Sequence, residues 1–239
     1  MFARTSAVWR TPGQRQLVLA LVAAFGSALV FARIAEDYLT NDPLARWDVS
    51  FAHWLADHRG SAGLDLFRGI TMVGGPLVAV AVVTVVTIAL YRRRHVADAA
   101  FLPLILAGAE LLNLLLKLAF QRPRPTIAFV QLDTYSFPSG HAMVSTAVYG
   151  ALAYLAWGRL HSRRARTLLL AATFLAIALI SFSRLYLGVH YLSDVLAGVA
   201  GGATWLALSI AIRAASGERF AARFTGSRAD RVGRRLTNS

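Results

Sequence analysis

Between Ser183 and Asp194 the chain reads SRLYLGVHYLSD, which sets Ser183, Arg184, His190 and Asp194 at one end of an otherwise apolar segment. His190 and Asp194 are four residues apart, so a helix presents them on one face. The carboxylate then accepts a hydrogen bond from one ring nitrogen, which leaves the other unprotonated and able to attack an electrophile. Arg184, just upstream, offers a planar fork of donors suited to a phosphate. Taken alone, the same residues equally describe a His–Asp pair on a helix surface and an interfacial arginine that snorkels.

Two further polar segments bear on that choice. KLAFQRPRP runs from Lys117 to Pro125 and contains the only lysine of the chain, and PSGH runs from Pro138 to His141. With the first stretch they supply three cations (Lys117, Arg124, Arg184), two histidines (His141, His190), one carboxylate (Asp194) and a helix start of small residues at Ser139 and Gly140. There is no carboxylate cluster for magnesium and no close histidine pair at zinc-ligand spacing. Cysteine is absent, which excludes disulfides and thiolate metal sites. The inventory suits a phosphate better than a metal. The three cations can surround phosphoryl oxygens, and the backbone N–H groups of Ser139 and Gly140 can donate to the same anion with the helix dipole behind them.

These residues need elements to hold them. Of the 239 residues, 56% are hydrophobic, above the roughly 45–50% usual for soluble domains. The excess falls in runs of about 18–22 residues, long enough to cross a hydrocarbon core of about 30 Å. The pattern predicts an all-α polytopic membrane bundle with six transmembrane helices. They fall near Leu17–Ile34, Gly69–Tyr91, Ala99–Phe120, Ser139–Trp157, Thr167–Phe182 and His190–Ile212. No small-x-small cleavage site ends the first run, so it reads as an uncleaved helix rather than a signal peptide. Gly74, Gly75 and Pro76 loosen the second helix near its start. Leu44, Trp47, Phe51, Trp54, Leu55 and His58 follow helical spacing and predict a short amphipathic helix lying in the interface. Glu110, Asn113 and Lys117 share a stripe on the third helix, which predicts an inward-facing Glu110 with a structural role. Gly198, Gly201 and Gly202 mark close packing on the sixth helix. Residues 1–212 form one domain, and 213–239 a basic cytoplasmic tail, partly disordered.

The formal net charge of +13 follows from topology and does not call for nucleic acid. Seventeen of the 25 basic residues lie in the N-terminal segment, the second–third and fourth–fifth loops and the tail. The positive-inside rule therefore puts both termini in the cytoplasm and the three polar segments on the outer face.

Lys-x6-Arg-Pro, Pro-Ser-Gly-His and Ser-Arg-x5-His-x3-Asp, in that order from Lys117 to Asp194, resemble the three-part signature of the type 2 phosphatidic acid phosphatase superfamily at every signature position. The resemblance implies a metal-independent lipid phosphate phosphatase of the bacterial inner membrane, with no cofactor. It implies His190 as nucleophile, Asp194 as the group that holds its tautomer, and His141 as general acid and then base. Lys117, Arg124, Ser139, Gly140 and Arg184 would bind phosphate. Charge spread over phosphoryl oxygens calls for fixed cations, and in-line attack calls for a group on each side of phosphorus, so the residues themselves support these roles. Among lipids, undecaprenyl diphosphate ranks first, with phosphatidylglycerophosphate, phosphatidic acid and lipid A as alternatives. A vanadium-haloperoxidase-like enzyme and a lipid transporter are the readings from other classes. His53, His58, His95 and His161 read as solvated or interfacial, and Arg122 as facing headgroups. Asp133, Tyr135 and Tyr186 border the segment.

Overall fold

The computed structural model describes residues 11–40, 42–130 and 132–236, with side chains described as far as Ser216 apart from that of residue 45. Among the described residues there are eight helices and no strand: α1 (Pro12–Thr40), α2 (Pro43–His58), α3 (Ser61–Val73), α4 (Pro76–Arg92), α5 (Val96–Phe120), α6 (Gly140–Trp157), α7 (Arg163–Tyr186) and α8 (Leu192–Leu236). Five stretches are long and apolar enough to cross a membrane: α1, α3 with α4, α5, α7, and α8 as far as Ser216. Their outer surfaces carry large apolar side chains, with Leu77 85% and Phe174 75% exposed. A soluble domain avoids an apolar surface of that extent, and lipid solvates it.

The interior is built around α6 and α8. α1 packs along α8, α5 and α7 flank α6, and α3 leans on α7. One core joins Leu102, Ile105 and Ala109 of α5 to Val144, Ala147 and Val148 of α6, with Ala79 and Val83 of α4. α6 and α8 touch through glycine. A Cβ at Gly198 would stand 2.5 Å from the Ser139 carbonyl oxygen, and one at Gly202 would strike the Met143 carbonyl.

Three expectations change. The second predicted helix is two: α3 ends at Gly74, Gly75 turns extended (ψ 156°), and Pro76 opens α4. A proline forces the residue before it out of the helical region and suits the first helical position, so the elbow is local chemistry. The last helix does not end near Ile212 but continues to Leu236. That segment has no proline and is rich in Ala and Arg, both good helix formers. Glu110 faces outward and is exposed, while Asn113 is buried. The two positions lie about 60° apart around the helix, and the lipid boundary runs between them. A helix does cover the amphipathic stretch, as α2: Trp47 and Trp54 face out, and Asp48, Ala52 and Leu55 face in.

The C-terminal ends of α5 and α7, the N-terminal ends of α6 and α8, and α2 meet at one end of the bundle. The other end holds an ion cluster in which Asp98 pairs with Arg159 (2.6 Å) and Arg213.

Candidate active site

His190 lies in the short turn between α7 and α8 and is buried. The turn closes through Gly188, whose φ of +68° is in the left-handed region. A Cβ there would meet the Ile127 carbonyl at 3.0 Å, so glycine is needed for both reasons. The His190 Nδ1 is 3.3 Å from Asp194 Oδ2, and its Nε2 is 3.3 Å from Arg124 Nη1. An arginine only donates. Nε2 is therefore the acceptor, and Nδ1 carries the hydrogen that Asp194 accepts. Burial, followed by the charges of Arg184, Arg124 and Lys117, pushes the imidazole well below its usual value, so the ring is neutral at pH 7.

Arg124 is fixed on every side. Its Nε donates to the Thr134 carbonyl and its Nη2 to Thr134 Oγ1, each at 2.7 Å, and Nη1 donates to the Val189 carbonyl at 2.7 Å. The Lys117 ammonium donates to the Tyr135 carbonyl. Arg184 Nη1 donates to Thr71 Oγ1 of α3 at 2.7 Å, while its Nε is buried without a partner. Ser139 occupies the N-cap position of α6, where a serine hydroxyl usually accepts from the first turn. Here it makes no such bond, and its Oγ is also buried and unpartnered. His141, one residue into α6, lies within electrostatic reach of Arg184, His190, Arg124 and Lys117. His141 and His190 therefore share the same three neighbouring cations, Lys117, Arg124 and Arg184.

Part of the anticipated anion cradle is already engaged. The Ser139 N–H donates to the Asp194 carbonyl at 2.9 Å, which ties the start of α6 to α8. The donors at this point are the Ser139 hydroxyl and the Gly140 N–H, the first open N–H of the helix. Asn113 supports the same corner by donating to the Pro138 carbonyl at 3.3 Å.

Arg122 does not face headgroups. It is buried and bridges two carboxylates, with Nη1 2.7 Å from Asp194 Oδ1 and Nη2 2.9 Å from Asp48 Oδ2. Asp48 on α2 also accepts from the Ser193 N–H at 2.9 Å. Asp48 was not among the residues singled out in sequence. The available signal was a carboxylate on the apolar side of an amphipathic helix, between Leu44 and Phe51. Tyr135 borders the site through its carbonyl. The Tyr186 hydroxyl turns to α3 and accepts from the Gly60 N–H at 3.1 Å. His53, His58, His95 and His161 are exposed. Among the described residues no group of three His, Cys, Asp or Glu side chains is arranged to hold a metal ion.

The family model described as the PAP2 superfamily matches residues 98–218. The chain is 32% identical over 141 residues to phosphatidylglycerophosphatase B of Bacillus subtilis (strain 168), covering 58% of this chain and 69% of that protein. It is similar in structure to the transmembrane PAP2-type phosphatidylglycerolphosphate phosphatase from Bacillus subtilis, with a TM-score of 0.73 and 26% identity over 78% of this chain and 93% of that one. Aquifex aeolicus LpxE shares the fold, with a TM-score of 0.56 and 23% identity over 69% of this chain and 94% of that one.

Proposed function

This chain belongs to the PAP2 superfamily and is a bacterial membrane lipid phosphatase, and we propose that it hydrolyses the terminal phosphate of phosphatidylglycerophosphate through a phosphohistidine at His190. The observation that carries the mechanism is the His190 ring, with Asp194 on one nitrogen and Arg124 on the other. A phosphoryl oxygen competes for the Arg124 hydrogens and so frees Nε2 for attack. The N–P bond forms as the P–O bond to the lipid breaks, and His141 gives its proton to the departing oxygen. Water then attacks phosphorus, His141 takes its proton, and the N–P bond breaks to release inorganic phosphate. Asp194 stabilises the charged imidazole during both steps, as a carboxylate does for a catalytic imidazolium. Lys117, Arg124, Arg184, the Ser139 hydroxyl and the Gly140 N–H hold the phosphoryl oxygens.

The relative from Bacillus moves phosphatidylglycerophosphate ahead of undecaprenyl diphosphate, the first reading of the sequence. The site lies beside the interfacial helix α2, which suits a substrate whose tails stay in the bilayer. In this reading α6 is a sixth crossing, both termini are cytoplasmic and the site opens to the outer face. The test is release of inorganic phosphate by detergent-purified protein, with chelator present, from phosphatidylglycerophosphate, undecaprenyl diphosphate, phosphatidic acid and lipid A. The expected result is fastest turnover of phosphatidylglycerophosphate and none for His190→Ala. Turnover surviving in His190→Ala overturns the mechanism, and a faster undecaprenyl diphosphate arm overturns the substrate assignment.

A further inference from the structure

The mechanism above leaves two buried charges unused. The side chain of Asp48 is 0% exposed and that of Arg122 is 6% exposed, and neither reaches the phosphate cluster directly. Burying such a pair carries a large desolvation cost, so it contributes little net stability. Its geometry is that of a relay. Arg122 lies between two aromatic faces, 4.6 Å from the Tyr38 ring and 4.3 Å from the Tyr191 ring. Its Nη1 serves both Ser193 Oγ (2.6 Å) and Asp194 Oδ1 (2.7 Å), and its Nη2 serves Asp48. Asp48 accepts the Ser193 N–H and hydroxyl in turn. Arg122 thereby occupies Asp194 Oδ1. Oδ2 is left to the Tyr191 N–H (2.9 Å) and to His190 Nδ1.

The charges explain why a second carboxylate is present. Arg122 and Asp194 alone are neutral together, and Asp194 would then offer little to a phosphorylated, positively charged imidazole. Asp48 shares the same guanidinium, so the trio carries one net negative charge, facing His190. Asp48 also stands at the N-terminus of α8, where a carboxylate stabilises the helix dipole and fixes the first turn, which carries Asp194.

We propose that Asp48 of the interfacial helix, acting through Arg122, is a positioning residue that holds Asp194, and through it His190, in the geometry of phosphoryl transfer. This rests on His190 being the nucleophile, as proposed above. Residues that orient a metal ligand commonly change activity by about 10–100-fold when replaced; an effect of the same order is expected for the residue that orients Asp194, and it should fall on kcat because Asp48 does not touch substrate.

The experiment compares Asp48→Asn, Asp194→Asn and the double variant as detergent-purified, folded protein. It measures kcat, KM and inhibition by vanadate, an anion that reports on the phosphate cluster. Asp48→Asn is expected to lower kcat by about 10-fold or more while KM and vanadate inhibition stay close to wild type. In the Asp194→Asn background the same substitution is expected to have almost no further effect, because its route is already cut. Should the loss of one carboxylate partner of Arg122 prevent folding, Asp48→Asn with Arg122→Gln removes both members of the relay and carries the same expectation for kcat. Wild-type kcat in Asp48→Asn or in that pair, or full additivity with Asp194→Asn, overturns the proposal. His190→Ala in the same assay separates the two claims. If it retains turnover the nucleophile is misassigned, and if it alone is dead the relay fails by itself.

Discussion

Gly198→Ala tests the close α6–α8 contact that lies next to the candidate site. The added Cβ would stand 2.5 Å from the Ser139 carbonyl oxygen, 3.0 Å from the Ala142 Cβ and 3.3 Å from the Met143 nitrogen. Backbone cannot swing aside as a flexible side chain can. Ordinary contact starts near 3.4 Å, so α6 and α8 must part by about 1 Å, a misplacement of the size that costs about 100-fold in rate when it reaches reacting groups. The seam is crossed by the Ser139 N–H to Asp194 carbonyl bond, which joins a proposed phosphate-binding residue to one four positions from His190. Alanine favours a helix over glycine by about 1 kcal/mol, and overpacking costs about 1–3 kcal/mol. The net loss of stability is then at most about 2 kcal/mol, and the protein should fold. The expected outcome is a monodisperse peak in fluorescence-detected size exclusion together with kcat/KM for phosphate release down by about 100-fold. Gly201→Ala is the control, since its Cβ would sit 3.4 Å from the flexible end of Met143 and activity should hold. A Gly198→Ala enzyme within threefold of wild type would refute the reasoning that this seam sets the register of the site.

Two other outcomes follow from the His190 environment. Burial and the cations Arg184, Arg124 and Lys117 hold the imidazole well below 6.5, so it stays neutral as pH falls through that value. Rapid-quench phosphoenzyme formation should therefore keep its rate down to pH 6, and an acid limb centred at 6.5 or above would contradict the assignment. The same shift has a stability sign: below 6.5 the unfolded chain binds a proton that the folded ring refuses, so stability is full above 6.5 and falls on acidification, as a thermal melt at pH 5.5 against 7.5 should show. Arg124→Lys should lower kcat/KM by about 100- to 1,000-fold, because an ammonium cannot reproduce the donations to Thr134, Val189 and His190. Full rescue by lysine would mean that only charge matters.

The candidate site was legible because its residues are few, polar and separated by fixed spacings in a chain that is otherwise apolar. Lys117, Arg124, His141, Arg184, His190 and Asp194 stood out against leucine and alanine, and a shared membrane side could be argued from arginine counts. What could not be read was pairing. The use of the Ser139 N–H by the Asp194 carbonyl depends on how α6 meets α8, a distance that no spacing within either helix encodes. Arg122 fails for the same reason. In sequence it is one more loop arginine, and only the fold brings Asp48, 74 residues upstream, against it. Glu110 failed differently: a polar stripe names a face, but whether its edge turns to protein or lipid is decided by the neighbouring helices. The α3–α4 break was visible in Gly74, Gly75 and Pro76, yet a continuous apolar run outweighed it.

α6 is the helix most enclosed by the others, with ten of its residues buried, and it is absent from the stretches apolar enough to cross a membrane unaided. It carries His141, Ser145, Thr146, Tyr149 and Tyr154, side chains that a lone segment would present to hydrocarbon at a penalty. During biogenesis such a segment gains little by leaving the translocon by itself. As the sixth crossing proposed above, it would have to enter the bilayer cooperatively with α5 and α8, whose surfaces take the place of lipid, so the end that carries the candidate site would be assembled only as the last helix emerges.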